Sequence, residues 1–353
     1  MAAPRFSILI PTKNRSEIVG GAIESALAQT YGDLEIIVSD NDDSESATRD
    51  AVAKYGDPRI RYFRTSGKLP MHENWENALA QAQGQWVLIL EDKMRLVRNA
   101  LEILVECANR FGNAIFSYDI SFAKGPSIPD PPILPAVERW TTEETIRAFC
   151  TFSSEFYKLL PKSLDSCAPL ELLRAARQSS PTGLVYSYVT PDYSSAFLLL
   201  SQVDSMYFIK APLVYIPNNW MAETKYSVGQ ATYKKAALTA RWLNELPVTT
   251  EEIQSYAPVK CKWLWLNNVL YDFFTKFKRA GVRAEIDWIE YHAFCVIIVI
   301  LGKRMGANMQ EEIDAIKASL RERSIGFKLR FTMSVARRIA HQAFLTVKRK
   351  LLG

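Results

Sequence analysis

Trp86-Val87-Leu88-Ile89-Leu90-Glu91-Asp92-Lys93-Met94 is the stretch on which the fold turns. Five apolar residues in a row are too few for a buried helix, and they predict a short strand covered on both faces. Strands of that kind belong to parallel sheets flanked by helices. In such open sheets ligands bind beyond the carboxyl ends of the strands, and that is where Glu91 and Asp92 fall. The acidic cluster then breaks off at Lys93 and Met94, which limits what the site can bind.

Upstream, strand and helix signals alternate. Phe6 to Ile10 reads as a buried strand, and Ser16 to Gln29 as a helix with Ile18, Ala22, Ile23, Ala26 and Leu27 on one face. Leu34 to Ser39 reads as a second strand, followed by a helix at Ala47 to Tyr55, a strand at Ile60 to Phe63 and a helix at Asn74 to Ala82. After the Trp86 strand come a helix over Arg98 to Phe111 and a strand at Ala114 to Tyr118. This is the βαβ grammar of a Rossmann-like, mostly parallel sheet in the α/β class. The proline-rich Gly125 to Pro135 marks a loop or seam. Beyond it helices are expected at Thr142 to Phe149 and Leu170 to Gln178, with another opened by Pro191-Asp192, and strand segments at Met206 to Ile216. After Tyr226 long apolar helices follow at Thr232 to Leu246, Lys262 to Arg279, Arg283 to Met305 and Met309 to Arg321. Three regions are therefore expected: 1–125 and 126–225 as two halves of one catalytic domain, and 226–353 as a helical C-terminal extension.

The 353 residues, 48% of them hydrophobic, are ample for a sizeable core. Five scattered cysteines show no paired short spacing, which predicts neither a disulfide framework nor a zinc site and fits a reducing, cytoplasmic setting. No secretory leader is read at Met1 to Arg5, and no window approaches the roughly 18 apolar residues of a membrane span. The net charge of +5 is concentrated at the end: Gly326 to Gly353 carries seven basic residues and no acid. In the same segment Phe327, Phe331, Val335, Ile339, Val347 and Leu351 recur at multiples of four, which makes a basic amphipathic helix. Two readings follow, a helix packed on the body with a solvated basic face, and peripheral binding to an anionic membrane surface. Nucleic acid is not expected as a partner, since aromatic platforms and a recognition motif are missing from the tail.

Strand one runs into Pro11-Thr12-Lys13-Asn14-Arg15 and strand two into Asp40-Asn41-Asp42-Asp43-Ser44, on the same sheet edge as Asp92. Three polar clusters on one edge predict a nucleotide site. There Asp40 would accept hydrogen bonds from base or ribose, while Lys13, Arg15 and Lys68 would offset a diphosphate. Local helix capping is the bland account of Arg15-Ser16 and of Asp42 to Ser44.

Phe6 to Arg15, Ala22 to Tyr31, Leu34 to Asn41, Asn74-Trp75-Glu76-Asn77-Ala78-Leu79 and Gly84 to Asp92 together resemble the donor half of a family 2 glycosyltransferase. The likeness covers roughly the first hundred residues, in order and spacing. It implies the A-type glycosyltransferase fold, a nucleotide-diphospho-sugar donor, inversion at the anomeric carbon and a hydroxyl acceptor such as a lipid-linked glycan in cell-surface glycan assembly. It also implies donor contacts from Pro11, Thr12, Lys13, Asn14, Arg15, Asp40, Asn41, Lys68, Asn74, Glu91 and Asp92. The family's Asp-x-Asp metal motif would place Asp92 first and Met94 last. A thioether is a poor ligand for Mg²⁺ or Mn²⁺, and the register through Glu91 and Lys93 fails equally. The family's His after a Pro-Leu-Val strand is also missing, because Pro212-Leu213-Val214 leads to Tyr215, Ile216, Pro217, Asn218, Asn219 and Trp220. No cofactor is therefore expected with preference, Mg²⁺ or Mn²⁺ being the less favoured alternative; Lys93 or Arg95, with Lys93 preferred, is expected to take the cation's place at the leaving diphosphate. His72 reads as a loop or capping residue.

The transfer needs a base for the acceptor hydroxyl. Thr190-Pro191-Asp192-Tyr193 resembles the family's acceptor-side element, which makes Asp192 the expected base, with Glu155, Asp165 and Glu171 as fallback residues and helix capping as the plain alternative. Trp220 is expected to stack on an acceptor sugar. Two other functions compete. The broken acidic motif suits a catalytically inactive nucleotide- or glycan-binding protein on the same scaffold. A sugar nucleotidyltransferase would need a glycine-rich phosphate loop, and Pro11 to Ser16 has no glycine.

Overall fold

The parallel register expected of the first third is present in the computed structural model, which describes residues 5–352 apart from 44–45, 67, 124, 126, 154–155, 218–242 and 245. β1 (Phe6–Thr12) pairs in parallel with β2 (Leu34–Asp40) on one side and β4 (Trp86–Ile89) on the other, and β2 pairs in parallel with β3 (Ile60–Arg64). Every residue of β1, β2 and β4 is buried. This follows from their mostly apolar sequences: helices cover both faces, so side chains pointing either way are apolar or, like Ser7, Glu35 and Asp40, hydrogen-bonded within the fold. Between the strands lie α1 (Ser16–Leu27), α2 (Ala47–Ala53) and α3 (Met71–Ala80).

The sheet continues past β4 in a way only partly readable from sequence. Its order is β3-β2-β1-β4-β8-β6-β9-β5, with β7 also on β9. The added strands are β5 (Arg95–Leu96), β6 (Phe116–Phe122), β7 (Val137–Thr141), β8 (Ser166–Pro169) and β9 (Ser205–Ile216). β6 and β9 run with the first four strands, while β5, β7 and β8 run against them. The sheet is thus mostly parallel, as expected of the α/β class. A register shift around Asp119 kinks β6 against β9.

The chain divides into two compact units. The first comprises residues 1–145, 157–225 and 275–282, and holds the sheet with α3, α4 (Ala100–Phe111), α7 (Leu170–Ser179) and α8 (Pro191–Gln202). α5 (Thr142–Cys150) and α6 (Phe156–Leu159) run across the boundary near 145 and 157. The second unit comprises 146–156, 226–274 and 283–353. Its helices include α9 (Thr250–Ser255), most of α10 (Trp265–Lys276), α11 (Trp288–Arg304), α12 (Gln310–Arg321) and α13 (Ile325–Leu352). Its interior is aromatic: Phe149 packs on Phe273 with ring centroids 4.8 Å apart, and Phe294 lies against Phe152 and Phe156. Asp287 caps α11 by accepting the Ile289 and Glu290 amides at 2.9 and 3.1 Å. Its buried His292 is held by the Trp288 carbonyl and the Ser319 hydroxyl.

Candidate active site

β1, β2 and β4 end side by side, with Thr12 opposite Asp40 in register, so their loops share one edge. Asp92, just beyond β4, is buried. The Thr12 hydroxyl donates to its Oδ2 at 2.9 Å and the Arg15 guanidinium to its Oδ1 at 2.8 Å. Burial pushes the Asp92 carboxyl above its ordinary range, against the pull of Arg15. Glu91 beside it is ion-paired to the Lys93 ammonium at 2.6 Å.

The second loop is equally built. Asp40 is buried, receives the Tyr62 hydroxyl and the Arg64 guanidinium on Oδ2, and accepts the Asp42 amide on Oδ1 at 2.8 Å. Burial, then the bond to Asp40, pushes the Tyr62 phenol up to about 12. Asn14 stands in the left-handed region at φ 53°, which asparagine tolerates better than most residues. That turn lets its backbone amide reach Asp42 while its side chain exchanges two hydrogen bonds with Asp43. Asn41 accepts the Thr65 hydroxyl at 2.6 Å and donates to the Leu69 carbonyl at 2.7 Å, which shapes the loop bearing the exposed Lys68. Buried carboxylates thus form the floor, while Lys13, Arg15 and Lys68 border it as cations.

Asn74 ties the donor-side loops together. It is buried, accepts the Ser39 hydroxyl at 2.7 Å and donates to the Thr12 and Ser39 carbonyls at 3.2 and 3.3 Å. Its amide nitrogen and oxygen are both engaged in pinning the ends of β1 and β2. The rest of its motif reaches the segment that precedes Pro191. Trp75 packs edge-on against Tyr186 at 5.5 Å, and Glu76 accepts the Val185 and Tyr186 amides at 2.6 and 2.7 Å while pairing with Arg177.

Those contacts fix the segment leading into α8. Pro191 opens the helix and Thr190 stands at its cap without a side-chain bond, so Asp192 lies inside the first turn and is not the cap. The Asp192 carboxyl is half-buried and pushed up to about 6 by burial, opposed by Lys162 and by the amides of Asp192 and Tyr193. Glu91 raises it further through space, which puts the base candidate within electrostatic reach of the β4 end. Lys162 was not singled out from sequence. It is buried, ion-paired to Asp165 at 2.6 Å, and lies 5.9 Å from the Tyr193 ring centroid. Ser163 and Ser195, 2.5 Å apart, tie the two segments together. Asp165 is pushed up to about 7 by burial, and its Oδ1 has no hydrogen-bond partner among the described residues. Glu171 instead bonds Asn113, while Glu155 and Trp220 lie outside the described residues.

Met94 is 3% exposed and packed into the core, and the neighbouring Asp92 is already held by Arg15. Among the described residues no group of three or more His, Cys, Asp or Glu is placed to hold a metal.

Residues 7–164 match the model of the family described as Glycosyl transferase family 2. A Campylobacter jejuni GalNAc(5)-diNAcBac-PP-undecaprenol beta-1,3-glucosyltransferase is 34% identical over 169 residues, which cover 46% of this chain and 53% of that protein. An Escherichia coli UDP-Glc:alpha-D-GlcNAc-diphosphoundecaprenol beta-1,3-glucosyltransferase, WfgD, is 29% identical over 28% of this chain and 39% of that one. The chain thus spans about half or less of the length of these curated relatives. In fold it is similar to the crystal structure of S. aureus TarS, with a TM-score of 0.51 at 14% identity over 89% of this chain and 54% of that one.

Proposed function

We propose, from the premise that residues 7–164 form a family 2 glycosyltransferase domain, that this protein moves a sugar from a nucleotide-diphospho-sugar to a hydroxyl acceptor with inversion. The observation that carries the proposal is the meeting, in one unit, of the donor-side loops at the ends of β1, β2 and β4 with a carboxyl at the start of α8 tuned to about 6. A base of that strength is ionised at neutral pH, yet still takes a proton from a hydroxyl as it attacks. Asp192 removes the acceptor proton, the acceptor oxygen bonds to the anomeric carbon, and the nucleoside diphosphate departs from the opposite face with the bonding pair. Asp40 and Asn41 shape the nucleoside end. Lys13, Arg15 and Lys68 meet the diphosphate, and Lys93, drawn to Glu91, offsets charge on the leaving group without a metal ion.

The two glucosyltransferases above are named for acceptors on an undecaprenyl diphosphate carrier. By analogy we take a lipid-linked glycan as the acceptor here, with the reaction belonging to cell-surface glycan assembly at the cytoplasmic face of a membrane. The test is product formation from a panel of nucleotide sugars with lipid-linked and water-soluble glycan acceptors. Asp192→Asn is expected to lower kcat by at least about a hundredfold while donor binding stays within twofold of wild type, in line with the usual worth of a general base. Wild-type rates in Asp192→Asn would remove it as the base, and absence of transfer from every donor would leave an inactive binding protein.

A further inference from the structure

Helix α13 carries two apolar sides, and among the described residues one is packed and the other exposed. Phe327 and Phe331 turn inward against His292, with ring centroids 5.3 and 6.5 Å away. On the same side the Ser334 hydroxyl donates to Glu290 at 2.8 Å, and Arg338 grips Glu290 while lying 5.7 Å from the Phe294 ring centroid. That side holds the helix onto α11. At 100° per residue, Ile325, Leu329, Met333, Ala336, Ala340 and Phe344 fall on the opposite side, within about a third of the circumference. Ile325 is 78% exposed, Leu329 63%, Met333 72% and Phe344 63%. Exposed apolar side chains are common singly, but a row of them along one helix marks a contact surface.

The charge around the row identifies what it meets. Arg330 and Arg337 border it on one side and Lys328 on the other, Lys348, Arg349 and Lys350 follow near the end, and there is no acid from Gly326 onward. A second copy docked through this face would bring cation against cation, which costs association. An anionic lipid surface accepts both features, apolar side chains entering the acyl boundary and cations meeting phosphate. No helix among the described residues is long and apolar enough to cross a membrane, so α13 lies on the surface and does not span it.

We infer that the outward side of α13, centred on Leu329 and Met333, is a docking face for an anionic membrane surface. It rests on the proposed membrane-side location of the reaction and supplies the surface for it. Flotation of the intact chain with phosphatidylcholine vesicles, and with vesicles of equal parts phosphatidylcholine and phosphatidylglycerol, tests it. Recovery is expected with the anionic vesicles at low salt, with little at high salt or with neutral vesicles. The double variant Leu329→Glu, Met333→Glu is expected to weaken vesicle partitioning by at least about a hundredfold, each lost side chain contributing roughly a factor of ten or more. Because both positions are exposed, its thermal unfolding and its transfer to a water-soluble acceptor should match wild type. Should the double variant fail to fold, Met333→Glu alone carries the same test at about tenfold.

Equal flotation of variant and wild type would overturn the docking face, as would wild-type recovery on neutral vesicles alone. A dimer in sedimentation velocity that the double variant splits, with no vesicle recovery, would assign the face to a second copy instead. Flotation of a wild-type chain that transfers no sugar would sink the proposed reaction and leave the docking face standing.

Discussion

At Asp192, the proposed base, burial raises the carboxyl and Lys162, thirty positions away in the chain, opposes that rise. Two carboxyls, Asp192 and Asp165, share one buried ammonium, and Lys162 opposes the effect of burial on both. The other charges facing this cluster are Glu91, paired with Lys93, and Asp119, paired with Lys158 at 3.8 Å. The proposed base would work only when ionised, so kcat/KM should fall as pH drops through about 6, the value to which the Asp192 carboxyl is raised. Lys162→Met removes the one cation opposing that rise. Its acidic limb should therefore move to higher pH by about one unit or more, with the rate recovering in alkali, whereas Lys162→Arg should keep the limb in place. A pH profile of Lys162→Met identical to wild type would show that Lys162 only fills space. Asp192 stands out in the sequence as a candidate through its Pro-Asp setting, whereas Lys162 does not, because nothing local ties it to residue 192. The fold brings them together through the Ser163 and Ser195 contact and the antiparallel strand β8.

α3 is the element that joins the two halves of the site. From one helix, Asn74 and Asn77 reach Ser39 on β2, while Trp75 and Glu76 reach the segment before α8. Glu76→Ala would leave two buried amides without their acceptor and Arg177 without its ion partner. It should cost about 3 kcal/mol or more in urea denaturation, with Glu76→Gln markedly milder because its carbonyl still accepts. The same crowding explains Gly84 at the start of the β4 segment. A Cβ there would stand 2.6 Å from the Ser7 nitrogen and 2.7 Å from the Phe6 carbonyl carbon. Gly84→Ala should therefore destabilise by about 1–3 kcal/mol, and an unchanged denaturation midpoint would contradict that close approach. The asparagine of this helix is conspicuous in the sequence, but its three backbone and hydroxyl partners are not: a buried amide so engaged looks the same in sequence as one awaiting a ligand. Strands differed in legibility for a similar reason. β1, β2 and β4 announce themselves as apolar runs. β5, with two residues, and β7, with Glu138 and Arg139 at its centre, take their strand state from pairing with β9, which no local pattern records.

Across the whole molecule the charges of the donor side are arranged to work in pairs. Arg15 meets Asp92, Lys93 meets Glu91, and Arg64 meets Asp40, so acids and cations are balanced before any ligand arrives. On the proposed reading, a nucleoside diphosphate entering such a site would meet cations already aimed by their partners, and would need no divalent ion to make its charge acceptable. Met94, turned into the core where the expected acid would stand, belongs to the same arrangement. Binding should therefore raise the melting temperature of the intact chain to the same extent with and without a chelator. A ligand at a hundredfold its Kd contributes about 2.7 kcal/mol, which for a catalytic unit of this size corresponds to a rise of roughly 5–10 °C. Differential scanning fluorimetry with a set of nucleoside diphosphates, each in EDTA and in Mg²⁺ or Mn²⁺, measures this directly. A shift that appears only with metal would mean that Lys93 does not stand in for the cation, and that Glu91 or Asp92 must release its paired base to bind the ion.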